Sequence, residues 1–159
     1  MQIIAEIANS HQGSLKILYQ LLGKLRKNKI TNVKFQIYFA DELMVKNHNR
    51  FLHFKKQSFT SNEWEKIIKY SKKYFKVYVD VFGLKAFKVA RKLKVDGYKI
   101  HSSDLLNHEL LINVAKTNKK VFLSVGGANG FEISYALKNL KRKNIILMHG
   151  FQNYPTNLL

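Results

Sequence analysis

Polar residues interrupt a segment that otherwise reads as a buried strand. Residues 32–38 spell Asn-Val-Lys-Phe-Gln-Ile-Tyr, and their β-branched and aromatic content predicts a short β-strand. Since side chains alternate along a strand, Lys34 and Gln36 share one face and the apolar residues share the other. A lysine in such a strand is costly unless it is paired or reaches water. The strand is therefore either a solvated edge or one wall of a site that needs positive charge.

The same pattern recurs at or near the C-terminal end of every strand that we predict. The polar residues concerned are Glu6, Lys34, Gln36, Asp80, Lys99, His101, Ser102, Asp104, Ser124 and His149. In parallel α/β folds, ligands bind at this edge of the sheet. Packing alone does not account for polar residues at six consecutive strand ends, so we expect a ligand site there.

The basic and hydroxyl residues of this set indicate the kind of ligand. Lys34 and Lys99 favour a phosphate or a carboxylate group, because both carry a fixed positive charge. Ser102 and Ser124 can donate hydrogen bonds to the same oxygen atoms. These residue types indicate a site for an anionic ligand.

The acidic residues admit two interpretations. Glu6 and Asp104 can serve as proton acceptors in a reaction, or they can be ion-pair partners that neutralise the lysines. Asp80 fits the second interpretation equally well. Residue types and spacing therefore leave the reaction unassigned.

Strand and helix patterns alternate along the chain. We expect strands at 2–7, 32–38, 77–82, 97–101, 120–124 and 144–149. Helical spacing of apolar residues predicts helices that begin near Leu15, Ser61, Ala86, Asn107 and Ile133. The segment 40–60 is basic and aromatic without clear periodicity, and its length is typical of a functional loop.

This alternation predicts an α/β fold of parallel βα units, since the connections are too long for hairpins. An open doubly wound sheet and a (β/α)8 barrel both remain possible. Six repeats that end on a strand fit the open sheet. The first strand, however, is not followed by the Gly-x-Gly-x-x-Gly turn of dinucleotide-binding sheets.

Composition limits the classes of function. The 159 residues have the length of one domain, and a hydrophobic content of 46% is sufficient for a core. The net charge of +18 is spread over all predicted helices without a dominant stripe, so we expect no nucleic-acid partner. We also expect no membrane segment and no signal peptide. The absence of cysteine fits a cytoplasmic location.

Several short motifs, taken in order, resemble one enzyme family. They are Ala5-Glu6-Ile7, His11-Gln12-Gly13, Val33-Lys34-Phe35-Gln36, Lys99-Ile100-His101-Ser102-Ser103-Asp104, Leu123-Ser124-Val125-Gly126, Met148-His149-Gly150 and Tyr154-Pro155-Thr156. Each motif is weak alone, but their order and spacing are similar to those of the sialic acid synthase (N-acetylneuraminate synthase) family. The resemblance runs from residue 3 to about residue 156.

The resemblance implies a (β/α)8 barrel that condenses phosphoenolpyruvate with an N-acetylmannosamine-like sugar and releases phosphate. It also implies a divalent metal, manganese or magnesium. By position, the resemblance implies that the donor is bound by Lys34, Lys99, Ser102 and Ser124. The implied catalytic residues are Glu6, which faces the sugar, and Asp104, which handles protons. The rest of the implied pocket is formed by Gln36, Gln152 and Tyr154.

The sequence departs from this pattern in two respects. Asp80 stands where the family has a threonine that contacts phosphate, which suggests altered donor contacts. The resemblance also places residues 1–159 on about six of eight βα units, without the last two strands, their metal-binding histidines and a C-terminal antifreeze-like domain. The missing strands would come from a longer gene product, another polypeptide or a homodimer.

Two alternative functions follow from these departures. One is a related phosphoenolpyruvate-using aldolase that acts on another aldehyde. The other is a non-catalytic remnant that retains anion binding.

Overall fold

Helices and parallel strands alternate throughout the computed structural model, which describes residues 3–141 and 144–150. The strands are β1 (Ala5–Glu6), β2 (Asn32–Ile37), β3 (Lys76–Val81), β4 (Gly97–Ile100), β5 (Lys120–Ser124) and β6 (Ile145–Met148). The helices are α1 (Leu15–Lys27), α2 (Ala40–Leu43), α3 (Phe51–Gln57), α4 (Ser61–Ser71), α5 (Gly83–Lys92), α6 (His108–Ala115) and α7 (Gly130–Asn139), and a 3-10 turn spans Ser102–Asp104. None of the helices in the described ranges is both long and apolar enough to cross a bilayer.

The order of the strands decides between the two candidate architectures. The six strands lie side by side as β1-β2-β3-β4-β5-β6, and every neighbouring pair is parallel. A doubly wound sheet reverses its strand order at a switch point, whereas a barrel keeps the order of the sequence. The sheet therefore forms a curled half-barrel, and the prediction of a barrel-type α/β fold is confirmed.

The two faces of the sheet differ as the alternation in β2 predicts. Val33, Phe35 and Ile37 are fully buried on the face that packs against the helices. The Phe35 ring meets the buried Trp64 ring of α4 edge-on, with centroids 5.8 Å apart. Lys34 and Gln36 consequently lie on the inner face, which is the interior of the half-barrel.

Aromatic side chains cover the inner face near the start of the strands. Tyr78 of β3 is paired in register with Gly97 of β4, and the Tyr78 ring meets the Phe122 ring at 5.3 Å. A Cβ atom at Gly97 would lie 2.6 Å from the Lys120 carbonyl oxygen and 3.0 Å from the Tyr78 ring. Glycine is therefore required at this position so that the ring can cross β4.

The segment 40–60 differs from the loop that the sequence suggests. It contains α2 and α3, which are too short to produce a recognisable apolar period. The Glu42 carboxylate accepts hydrogen bonds from the Lys85 backbone N–H at 3.0 and 3.1 Å, and the Asp41 carboxylate lies 3.4 Å from the Lys85 ammonium. These contacts fasten α2 to the N-terminus of α5.

Two glycine substitutions test the packing of the inner face. Gly97→Ala is expected to lower the free energy of unfolding by about 1–3 kcal/mol, because the new methyl group overpacks Tyr78 and the β5 backbone. The control is Gly23→Ala within α1, where nothing beyond the neighbouring residues and backbone of the helix itself lies within 4 Å of the new methyl group. It should raise the same quantity by about 0.5–1 kcal/mol through helix propensity.

Urea denaturation of both variants measures these changes. Equal stability of Gly97→Ala and the parent chain would contradict the close approach of β4 and β5 to the Tyr78 ring.

Candidate functional site

Four charged side chains meet on the inner face of the half-barrel. The Lys34 ammonium contacts the Glu6 carboxylate and lies 3.5 Å from Asp80 Oδ2. The Lys99 ammonium donates to the same Asp80 oxygen at 2.7 Å. The four residues form a continuous series of ion pairs, Glu6–Lys34–Asp80–Lys99, which we call the charged cluster.

Strand register brings these four residues together. Glu6 lies beside Lys34 in the ladder of β1 and β2, and Asp80 lies beside Lys99 in the ladder of β3 and β4. Gln36 is the β2 neighbour of Asp80, so Lys34 begins two residues nearer the start of its strand. Its long side chain spans that offset, about 7 Å along the strand, to reach Asp80.

Burial makes the pairing within the charged cluster obligatory. Asp80 is completely buried, and the side chains of Lys34 and Lys99 are only 10% and 15% exposed, whereas that of Glu6 is 40% exposed. A buried charge without a partner is strongly unfavourable. Because two ammonium groups face two carboxylates, the formal charges of the cluster cancel.

The second oxygen of Asp80 is in a different situation from the first. Asp80 Oδ1 is buried and has no hydrogen-bond partner among the described residues, while Oδ2 receives both lysines. A buried carboxylate oxygen of this kind retains the capacity to accept one more donor.

The hydroxyl residues that the sequence predicts lie along the same edge of the sheet. Ser124 is the last residue of β5, and Ser102 opens the 3-10 turn that follows β4. Ser102 also lines a cleft of 310 Å³ between the loops that follow β4 and β5. The other residues lining this cleft are His101, Ser103, Gly126, Gly127, Ala128 and Glu132.

A larger hollow of 580 Å³ lies elsewhere, in the helical layer. It is lined by Phe131, Ser134, Tyr135, Lys138 and Lys141. None of its described lining residues is a carboxylate or lies at a strand end. The convergence of charged groups, and not the size of a cavity, therefore locates the candidate site.

Asp104 makes a local contact instead of joining the charged cluster. Its carboxylate accepts a hydrogen bond at 3.0 Å from the Asn107 side-chain amide. Asn107 in turn caps α6, since its side-chain oxygen accepts from the Leu110 backbone N–H at 3.2 Å. Asp104 thus helps to position the turn that carries Ser102. Gln152 and Tyr154 lie outside the described residues.

Comparison with known proteins becomes informative once this geometry is known. A sequence model of the NeuB family matches residues 24–159, which is most of the chain. The chain belongs to the NeuB family.

Individual relatives agree with the family match. The chain is 32% identical over 158 residues to an uncharacterised protein of Methanocaldococcus jannaschii, covering 97% of this chain and 47% of the relative. It is 28% identical over 173 residues to N,N'-diacetyllegionaminic acid synthase of Campylobacter jejuni, covering 96% and 52%. The chain therefore spans about half the length of the curated relatives it matches.

A solved structure supports the same relationship. The crystal structure of N-acetylneuraminic acid (sialic acid) synthetase from Leptospira borgpetersenii serovar Hardjo-bovis, in complex with citrate, matches with a TM-score of 0.88 and 27% identity. The match covers 97% of this chain and 55% of that one. The resemblance inferred from the sequence motifs is confirmed at the level of the family, and the specific substrates are a separate question.

One central member of the site, Asp80, received no catalytic or binding role from the sequence of this NeuB-family chain. Sequence reasoning treated Asp80 as a departure and as one partner for the lysines, whereas the structure places it between Lys34 and Lys99. The register of β2, β3 and β4 is the signal that identifies it, because Gln36, Asp80 and Lys99 occupy one row.

Two further polar residues at the same edge were also outside the candidate set. Burial raises the pKa of Tyr38, just beyond β2, to about 12, so its phenol stays protonated at neutral pH. His11, in the turn after β1, is buried against the Phe59 ring with centroids 4.6 Å apart. Its Nδ1 accepts from the Gly13 backbone N–H at 3.0 Å, so a neutral ring carries its proton on Nε2.

The metal that the family resemblance implies does not fit the described residues. Across 3–141 and 144–150, no three histidine, aspartate or glutamate side chains come together in a way that could hold an ion. The acidic groups of the charged cluster are already bound to lysines. We therefore assign no step of the chemistry in this part of the barrel to a metal.

The burial of His11 predicts how stability depends on pH. Burial lowers the pKa of His11, because the cationic ring is poorly solvated inside the fold. As the pH falls below about 6.5, the unfolded chain takes up a proton that the folded chain still excludes, so the free energy of unfolding falls. The decline continues until the pH reaches the lowered pKa of the folded state.

Urea denaturation at about pH 7.5 and about pH 5.5 tests this dependence. The parent chain should lose more free energy of unfolding between the two than His11→Asn, which retains an acceptor for the Gly13 N–H. His53→Asn, a change at an exposed histidine of α3, should behave like the parent. An identical loss in His11→Asn and the parent would exclude His11 as the cause.

Proposed function

We propose that this NeuB-family chain supplies the donor-binding part of an enzyme of sialic acid synthase type. In this proposal residues 1–159 are the N-terminal part of a (β/α)8 barrel domain, and the reaction condenses phosphoenolpyruvate with an N-acetylmannosamine-like sugar. The observation that carries the proposal is the convergence of Lys34 and Lys99 on one oxygen, Asp80 Oδ2, inside the half-barrel.

Two converging ammonium groups suit a donor that carries both a phosphate and a carboxylate. Fixed charges in a water-poor site stabilise an anionic ligand and the charge that develops during reaction without further reorganisation. In our proposal Lys34 and Lys99 bind the anionic groups of phosphoenolpyruvate. Ser102 and Ser124, at the same edge of the sheet, donate hydrogen bonds to its oxygens.

The proposed reaction forms one carbon–carbon bond and releases one phosphate. The nucleophilic carbon C3 of phosphoenolpyruvate attacks the aldehyde carbon of the sugar, and water adds at C2 as the C2–O–phosphate linkage is lost. In our proposal Glu6 faces the sugar, and its exposure, the greatest in the charged cluster, supports this assignment. We assign proton handling to Asp104 and the remaining pocket wall to Gln36, Gln152 and Tyr154.

The charged cluster also favours a second candidate function. Asp80 lies within the proposed donor site, where a carboxylate alters the contacts available to a phosphate. A related aldolase that uses phosphoenolpyruvate with a different aldehyde would have the same lysines and a different acceptor pocket. Supplying a panel of aldehyde sugars and identifying the product by mass spectrometry separates the two.

Calorimetric titration of phosphoenolpyruvate into the chain tests the donor site. Lys34→Met and Lys99→Met should each weaken binding by about tenfold or more, because a hydrogen bond to a charged group is lost. Lys69→Met is the matched control: it removes the same charge from the exposed face of α4, where Lys69 pairs with Glu65 at 2.7 Å. It should leave the affinity unchanged.

Equal affinity in all four proteins would contradict a donor site at Lys34 and Lys99. Circular dichroism of each variant establishes that the comparison is made between folded chains.

A further inference from the structure

Asp80 occupies the point at which the two lysines of the charged cluster converge. Its Oδ2 atom is 2.7 Å from the Lys99 ammonium and 3.5 Å from that of Lys34. An anionic group that used both lysines as donors would compete with this carboxylate for the same two ammonium groups. The chain thus provides its own carboxylate where an external anion would bind.

The position of Asp80 is fixed by the sheet. Its strand, β3, lies between β2 and β4, and the adjacent Val79 and Val81 are fully buried on the opposite face. Asp80 cannot leave the site without disrupting that packing, whereas the lysine side chains have flexible stems. An incoming anion must therefore compete with a carboxylate that stays in place.

The balance of charge strengthens this competition. With Glu6 on Lys34 and Asp80 on both lysines, the four formal charges cancel, and a multiply charged anion gains no net attraction from the group. Replacing Asp80 by its neutral isostere leaves the cluster with one positive charge in excess. Nearby charge of this sign raises the affinity for phosphate and carboxylate ligands.

We propose that Asp80 is a specificity-determining residue that acts as an internal counter-anion and limits the affinity of the site for phosphate-bearing ligands. The inference rests on the proposed function in one respect, namely that Lys34 and Lys99 form the donor site. A purely structural role would make a different prediction: loss of Asp80 would reduce stability without any gain in anion affinity.

Titration of inorganic phosphate and of phosphoenolpyruvate into Asp80→Asn tests the proposal. Both anions should bind about tenfold more tightly, or better, than to the parent chain. The matched control is Asp96→Asn, which makes the same charge change before β4, at the opposite edge of the sheet. Asparagine there retains an acceptor for the Val77 backbone N–H, which Asp96 binds at 2.8 Å.

A result in which Asp80→Asn binds both anions no more tightly than the parent would overturn the proposal. An equal gain in Asp96→Asn would also overturn it, because the effect would then reflect net charge alone.

Thermal unfolding provides a second readout if Asp80→Asn folds poorly. Phosphate should raise the midpoint of Asp80→Asn more than that of the parent, because the anion then neutralises the excess positive charge that the lost carboxylate leaves on the lysines. Sodium chloride at matched ionic strength is the control for screening. Equal shifts in both proteins, or an equal effect of chloride, would show that Asp80 serves only as an ion-pair partner.

The same titrations separate this inference from the proposed function. Binding of phosphoenolpyruvate that depends on Lys34 and Lys99 but is unchanged in Asp80→Asn would overturn the role of Asp80 and leave the donor site intact. Absence of binding in both the parent and Asp80→Asn would overturn both.

Discussion

The ion pairs that Asp80 makes with Lys34 and Lys99 are the interaction on which the inner face depends. The three residues belong to three successive strands, β2, β3 and β4, and they meet only when those strands are parallel and in the observed register. The Lys34 and Asp80 charges are buried and the Lys99 charge is partly buried, so each would be unfavourable without its partners. The register of the sheet therefore determines whether the charges of the site are paired.

The two faces of the sheet consequently have different roles. Apolar residues of β2 pack against the helices and supply the core, while polar residues of the same strand enter the half-barrel. The Tyr78 ring, for which Gly97 leaves room, lies on the same face one row before Asp80 and Lys99. Burial on one face thus leaves the other free to hold charge at the edge where parallel α/β proteins bind ligands.

The sequence predicted the strands, the face on which Lys34 and Gln36 lie, and a barrel-type fold through its family resemblance. The alternation of strands and helices along the sequence did not distinguish an open sheet from a barrel. The two differ in the spatial order of their strands, which is set by tertiary packing. It also did not identify Asp80 as the shared partner, since pairing depends on the register between strands. The helices α2 and α3 escaped detection because each is under two turns long, which is too short for an apolar period to repeat.

In our proposal phosphoenolpyruvate binds at the ammonium groups of Lys34 and Lys99. A crystal structure of the chain with phosphoenolpyruvate bound tests it most directly. We expect a phosphate or carboxylate oxygen of phosphoenolpyruvate within hydrogen-bonding distance of both ammonium groups, with Asp80 still buried beside them. A donor bound elsewhere, with both lysines engaged only by Asp80 and Glu6, would contradict it.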